Sequence, residues 1–107
     1  VNDSDNQSEG IRIDNYSQLN TNNGNDTITG SGFAVGINSR GTINTGAGND
    51  TITGSAEGPP DDLFGSTGIS NSSGTINTGA GNDIILASGK SVSISNSSGT
   101  INTGAGN

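Results

Sequence analysis

Apolar residues in this chain occur as isolated pairs and triplets in alternation with small polar ones. Ile11 and Ile13, Val35 and Ile37, Thr67 and Ile69, and Val92 and Ile94 form one recurring set, and Thr27-Ile28-Thr29, Thr51-Ile52-Thr53 and Ile84-Ile85-Leu86 form another. Period-two alternation is the signature of a strand with one buried face, so each run predicts a short strand with Ile inward and Thr outward. Gly, Asn and Ser clusters between the runs supply the turns.

The runs belong to a longer repeat. The block Ile43 to Asp50 (INTGAGND) recurs as Ile76 to Asp83, as Ile101 to Asn107 without its Asp, and in degenerate form as Leu19 to Asp26 (LNTNNGND). Successive copies lie 24 residues apart (Asp26 to Asp50), then 33 (Asp50 to Asp83), then 25 (Asn82 to Asn107). Eight residues inserted between Ile52 and Thr67, and one more between Ile69 and Ile76, account for the long interval. The insertion falls around Glu57-Gly58-Pro59-Pro60-Asp61-Asp62, whose prolines cannot donate to a ladder, and predicts a loop near 57–64 thrown off one corner. Register-keeping of this kind has no use in a disordered chain, whereas stacked coils require it. The expected fold is all-β: a parallel β-solenoid of about four coils of 24–25 residues, with three short strands per coil. The coils run near 11–30, 31–54, 55–87 and 88–107, behind a polar N-terminal segment or cap at 1–10.

Composition sharpens the picture. Gly, Asn, Ser and Thr make up more than half of the 107 residues, and only 25% are apolar, so the Ile columns are core and leave little for a ligand pocket. The absence of His, Cys, Met and Trp removes imidazole and thiol chemistry, haem and zinc ligation and any disulfide frame. A net charge of −7, from three basic and ten acidic residues, argues against nucleic acid and for cations as partners. No apolar run is long enough for a transmembrane helix, and the opening VNDSDNQSEG is not a signal peptide. Because the last copy stops ahead of its Asp, a slice of a longer array or one unit of an assembly is expected.

The stretch Thr45-Gly46-Ala47-Gly48-Asn49-Asp50-Thr51-Ile52-Thr53 resembles the nonapeptide G-G-x-G-x-D-x-U-x of the RTX (hemolysin-type) calcium-binding repeats. Thr78 to Leu86 matches equally well, Thr103 to Asn107 matches as far as it runs, and Thr21 to Thr29 has Asn in place of the second glycine. The resemblance implies Ca²⁺ held between neighbouring turns by Asp26, Asp50 and Asp83 together with Asn22 and Gly24, Thr45, Ala47, Gly48 and Asn49, and Thr78, Ala80, Gly81 and Asn82. Ca²⁺ suits oxygen-only donors in a flexible loop better than Mg²⁺ does. Family members usually carry two nonapeptides per coil; this chain has one, which implies a single column of ions. The competing reading is a plain tight turn, with Gly and Asn for positive φ and Asp for a local backbone bond. Asp residues stacked about 5 Å apart would then repel by order 1 kcal/mol even in water.

Remaining motifs carry less. Asn-x-Ser/Thr sequons at Asn2, Asn6, Asn15, Asn25, Asn49, Asn71 and Asn96 follow from composition alone. Asp61 and Asp62 read as a solvated loop tip, and Tyr16, Phe33 and Phe64 are too scattered for a stacking platform. No catalytic site is expected. The leading functional expectation is a non-catalytic, calcium-stabilised extracellular module of a bacterial surface protein, adhesin, sheath or filament, either embedded among flanking repeats or stacked end to end as a homo-oligomer. An ice- or surface-binding solenoid using Thr-x-Thr rows, and the RTX secretion and folding tail of a secreted enzyme, are the alternatives.

Overall fold

The computed structural model describes residues 2–4, 9–58 and 65–106. Its strands are, in chain order, β1 (Asn2–Ser4), β2 (Glu9–Ile13), β3 (Gln18–Asn20), β4 (Thr27–Gly32), β5 (Val35–Ser39), β6 (Thr42–Asn44), β7 (Thr51–Ala56), β8 (Thr67–Ser72), β9 (Thr75–Asn77), β10 (Ile84–Gly89), β11 (Val92–Ser97) and β12 (Thr100–Asn102). Every third strand joins the same sheet, giving β1-β4-β7-β10, β2-β5-β8-β11 and β3-β6-β9-β12, all parallel. This is the expected parallel β-solenoid, four coils of three strands, each coil stacked on the next at the ladder spacing of about 4.8 Å.

Three files of aliphatic side chains fill the interior, one from each sheet. Ile28, Ile52 and Ile85 stack in the first, Ile11, Ile37, Ile69 and Ile94 in the second, and Leu19, Ile43, Ile76 and Ile101 in the third. The six isoleucines of the middle coils, Ile28, Ile37, Ile43, Ile52, Ile69 and Ile76, are fully buried. Burial of each contributes roughly 1.5–3 kcal/mol. The first two sheets close on each other so tightly that small residues are required between them: a Cβ on Gly54 would collide with the Gly68 carbonyl and the Ile69 side chain.

One register differs from the spacing read off the sequence. Ile11 pairs with Ile37 rather than with Val35, which faces Glu9, so Ile13 falls in file with Ser39, Asn71 and Asn96. The first coil spends Asp14 to Ser17 on the corner where the second uses only Arg40 and Gly41, and a slip of two residues keeps every side chain on its face. Within the stretch expected as a cap, Asn2–Ser4 pairs with β4, and Glu9 and Gly10 already belong to β2, so regular stacking starts ahead of Ile11.

The long interval resolves at two corners. Gly58 donates its N–H to the Phe33 carbonyl (2.8 Å) and Thr67 donates to that of the very next residue, Ala34 (2.9 Å). Gly58 and Thr67 therefore occupy adjacent rungs on the coil before, and Ser66, buried, already accepts from Lys90 and Ser91 of the coil after. Most of the predicted loop, including Pro59, Pro60, Asp61, Asp62 and Phe64, lies outside the described residues. The ninth extra residue lies between Asn71 and Thr75, which pair with Ser39 and Thr42; in that stretch Ser73 takes a left-handed φ of 66°, as Ser98 does (58°) one coil later.

Candidate cation site

The repeated turn connects the third sheet of one coil to the first sheet of the next. Its Thr points inward: Thr45 and Thr78 are fully buried, and the Thr45 hydroxyl donates to the Thr78 carbonyl (3.1 Å), as Thr21 does to Thr45 (3.3 Å). Gly46 follows at φ 97°, and a Cβ there would overlap the Asn22 carbonyl of the coil before. The glycine is thus needed for close approach between turns as well as for the left-handed bend. Ala47, Ala80 and Ala105 then pair across coils, with Gly24 donating to the Ala47 carbonyl (2.8 Å) and Gly48 to that of Ala80 (2.8 Å).

The last two residues of the motif stitch the stack in opposite directions. Asn25 Oδ1 accepts the N–H of Asn49 in the following coil (2.8 Å), and Asn49 Oδ1 accepts that of Asn82 (2.8 Å). Asp50 Oδ1 instead accepts the N–H of Asp26 in the preceding coil (2.9 Å), and Asp83 Oδ1 that of Asp50 (2.9 Å). One oxygen of Asp50 and of Asp83 therefore has a backbone partner, though in the neighbouring coil and not within its own turn as the tight-turn reading expects. The other does not: Asp26 Oδ2, Asp50 Oδ2 and Asp83 Oδ2 are all buried without a hydrogen-bond partner, and Asp50 as a whole is 1% exposed. An acceptor-only anionic oxygen removed from water with nothing to satisfy it is costly. Here the same orphan recurs in three consecutive turns.

The structure brings the sequence-predicted residues into one column along one edge. Asp26, Asp50 and Asp83 lie beneath the turns formed by Asn22 and Gly24, by Thr45 to Asn49 and by Thr78 to Asn82. Their parts differ. The Thr45 hydroxyl is spent on the Thr78 carbonyl while the Thr78 hydroxyl is buried without a partner, the Ala47 and Ala80 carbonyls already accept ladder bonds, and Asn22 is an exposed left-handed residue (φ 71°) whose N–H bonds to Asn20 Oδ1. Among the described residues no three His, Cys, Asp or Glu gather at one point. An ion here would take carboxylate Oδ2 atoms and the second lone pairs of turn carbonyls, a hard all-oxygen set that fits Ca²⁺.

Sequence reasoning passed over the amide files. Asn102, Asn77 and Asn44 each donate through Nδ2 to Oδ1 of the Asn one coil earlier, at 3.1, 2.9 and 3.4 Å, ending on Asn20. Buried Asn71 places Nδ2 near the carbonyls of Gly74 (3.2 Å) and Thr100 (3.1 Å) and Asn96 Oδ1 (2.8 Å). The signal was there in the recurrence of Ile-Asn in three repeats, with Leu19-Asn20 in the first, and of Ser-Asn-Ser-Ser-Gly in the last two coils. The burial of Asn71 closes its sequon to glycosylation in the folded chain.

No protein-family model, no curated protein and no solved structure matches this chain.

Proposed function

We propose that this chain is a non-catalytic structural module whose coils are tied together by Ca²⁺ bound along the Asp26, Asp50 and Asp83 column, and that it serves in an extracellular bacterial surface protein or filament. The observation that carries the reading is the buried, unpartnered Oδ2 in each of the three turns. The nonapeptide resemblance, the charge of −7 and the absence of cysteine stand in its favour, since millimolar Ca²⁺ is an extracellular condition. Asp26, Asp50 and Asp83 would hold the ions, which would supply positive charge between stacked carboxylates and do no chemistry.

Thermal melting by circular dichroism in CaCl₂, MgCl₂ and EGTA tests this. One site filled at a hundredfold excess over its Kd adds about 2.7 kcal/mol, so Ca²⁺ is expected to raise Tm by about 10 °C or more in a chain of this size, and Mg²⁺ by less. Asp50→Asn, which keeps the Oδ1 acceptor but removes the charge, is expected to remove most of the gain. Identical melts in CaCl₂ and EGTA would overturn the cation reading.

A second reading draws on the outward face of the first sheet, where Thr27 and Thr29 stack on Thr51 and Thr53 in register. The file continues into Ile84 and Leu86, each about half exposed (51% and 54%), so the hydroxyl array is only two coils deep. Thermal hysteresis of the purified chain would be the mark of ice binding, and its absence is expected.

A further inference from the structure

The third sheet has an outward face that neither the core nor the Asp column uses. Each of its strands is three residues long, with the middle residue turned inward. The flanking residues make two files along the stack: Gln18, Thr42, Thr75 and Thr100 on one side, and Asn20, Asn44, Asn77 and Asn102 on the other. Between them runs a groove of about 430 Å³ that spans all four coils. None of the groove's lining residues is charged.

The amides are fixed before any ligand arrives. Each ladder bond consumes one of the two Nδ2 hydrogens and one Oδ1 lone pair, which leaves every interior Asn one donor and one acceptor, held in the same orientation in each coil. A ligand engaging this file loses little of the rotamer entropy that free amide side chains would cost.

At one side the groove adjoins a hollow of about 340 Å³, Thr42 and Thr75 lining both. Tyr16 stands on the rim of that hollow with its ring wholly in solvent (101% exposed) and its backbone at φ 66°. A left-handed conformation is costly for a bulky residue, and such strain concentrates where a side chain must be presented. Nothing in the packing of the coil needs this ring, yet the turn holds it out: Ser17 closes the corner with an N–H bond to the Asp14 carbonyl (3.1 Å).

We infer that this face binds a linear neutral polysaccharide lying along the stack axis, with its hydroxyls on the Thr and Asn files and the C–H face of one sugar ring on Tyr16. Coil spacing of about 4.8 Å is close to the rise of one sugar unit in an extended β-linked chain, whereas an extended peptide rises about 3.3 Å per residue and falls out of step. Hydroxyl-rich ligands match a surface that offers paired donors and acceptors and no charge. An acidic polymer is disfavoured by the −7 of the chain, and Arg40 is the only cationic residue lining the hollow.

Titration calorimetry of the whole chain in CaCl₂, with β-1,4-glucohexaose, β-1,4-mannohexaose, the corresponding disaccharides and hexagalacturonate as probes, tests the inference. At least one neutral hexaose is expected to bind, about tenfold or more tighter than its disaccharide, because several rungs act together. Tyr16→Gly is expected to weaken binding about fivefold or more while raising Tm, since it removes the ring and the strain at once. Thr75→Val is expected to weaken binding with an unchanged dichroism spectrum. No binding of either neutral hexaose at millimolar concentration, preference for hexagalacturonate, or affinity unmoved by both substitutions overturns it. The outcome is separable from that of the cation proposal, because the groove variants leave the Asp column intact and the calcium melts involve no glycan.

Discussion

A polar side chain inside this solenoid can stand in for a backbone partner that the turn has removed. Asn71 is the clearest case: fully buried near the end of β8, it donates to the carbonyls of Gly74 and Thr100 and to the amide oxygen of Asn96. Asn71→Leu fills the same space without a donor and strands those acceptors, so it is expected to destabilise the fold by about 2–3 kcal/mol, read as a lowered urea midpoint. Residues of this kind were the least legible in the sequence. Ser39, Asn71 and Asn96 share a file with Ile13, and no rule of alternation marks that inward position as polar in three coils and apolar in one. The Asp positions were legible because a charge recurred at a fixed distance from a glycine pattern. That their two oxygens would part company, one bonded to the coil before and one orphaned, depends on the stagger of adjacent turns and is not written in the spacing.

Strands here are too short to be stable singly, and what fixes them is the file of isoleucine each contributes to. A residue's contribution should then follow its place in the stack rather than its identity. Ile52, fully buried with a coil on either side, is expected to cost about 2–5 kcal/mol as Ile52→Ala. Ile94, 42% exposed in the last coil, should cost well under half of that as Ile94→Ala. Parallel urea titrations of the two variants check the ratio, and equal losses would mean that the coils do not form one cooperative core. The strands and their parallel stacking followed from the repeat because each one-residue slip would turn an Ile file out to solvent. Slips of two residues leave every face unchanged, and this is why the partner of Ile11 was misread while its inward direction was not.

At the scale of the molecule the stack is asymmetric. Ile11 at one end is only 7% exposed, whereas Ile94 and Val92 at the other are 42% and 40% exposed, and among the described residues β10, β11 and β12 have no strand on their outer side. Three parallel open edges over an apolar face form a template for another coil, and a second copy of this chain offers one. Sedimentation velocity is expected to show concentration-dependent association that Ile94→Lys suppresses; a wild-type chain that stays monomeric at high concentration would refute self-stacking and leave flanking repeats as the cover. The same geometry sets how the protein bears load. The ladder hydrogen bonds between coils point along the stack axis while the covalent chain runs across it, so tension between the two ends strains one rung at a time. Such a body does not snap; it unwinds from an end, each repeat of 24, 33 or 25 residues releasing about 80–110 Å of slack before the next begins to give. A surface-tethered array built this way would act as an extensible, self-rewinding spring.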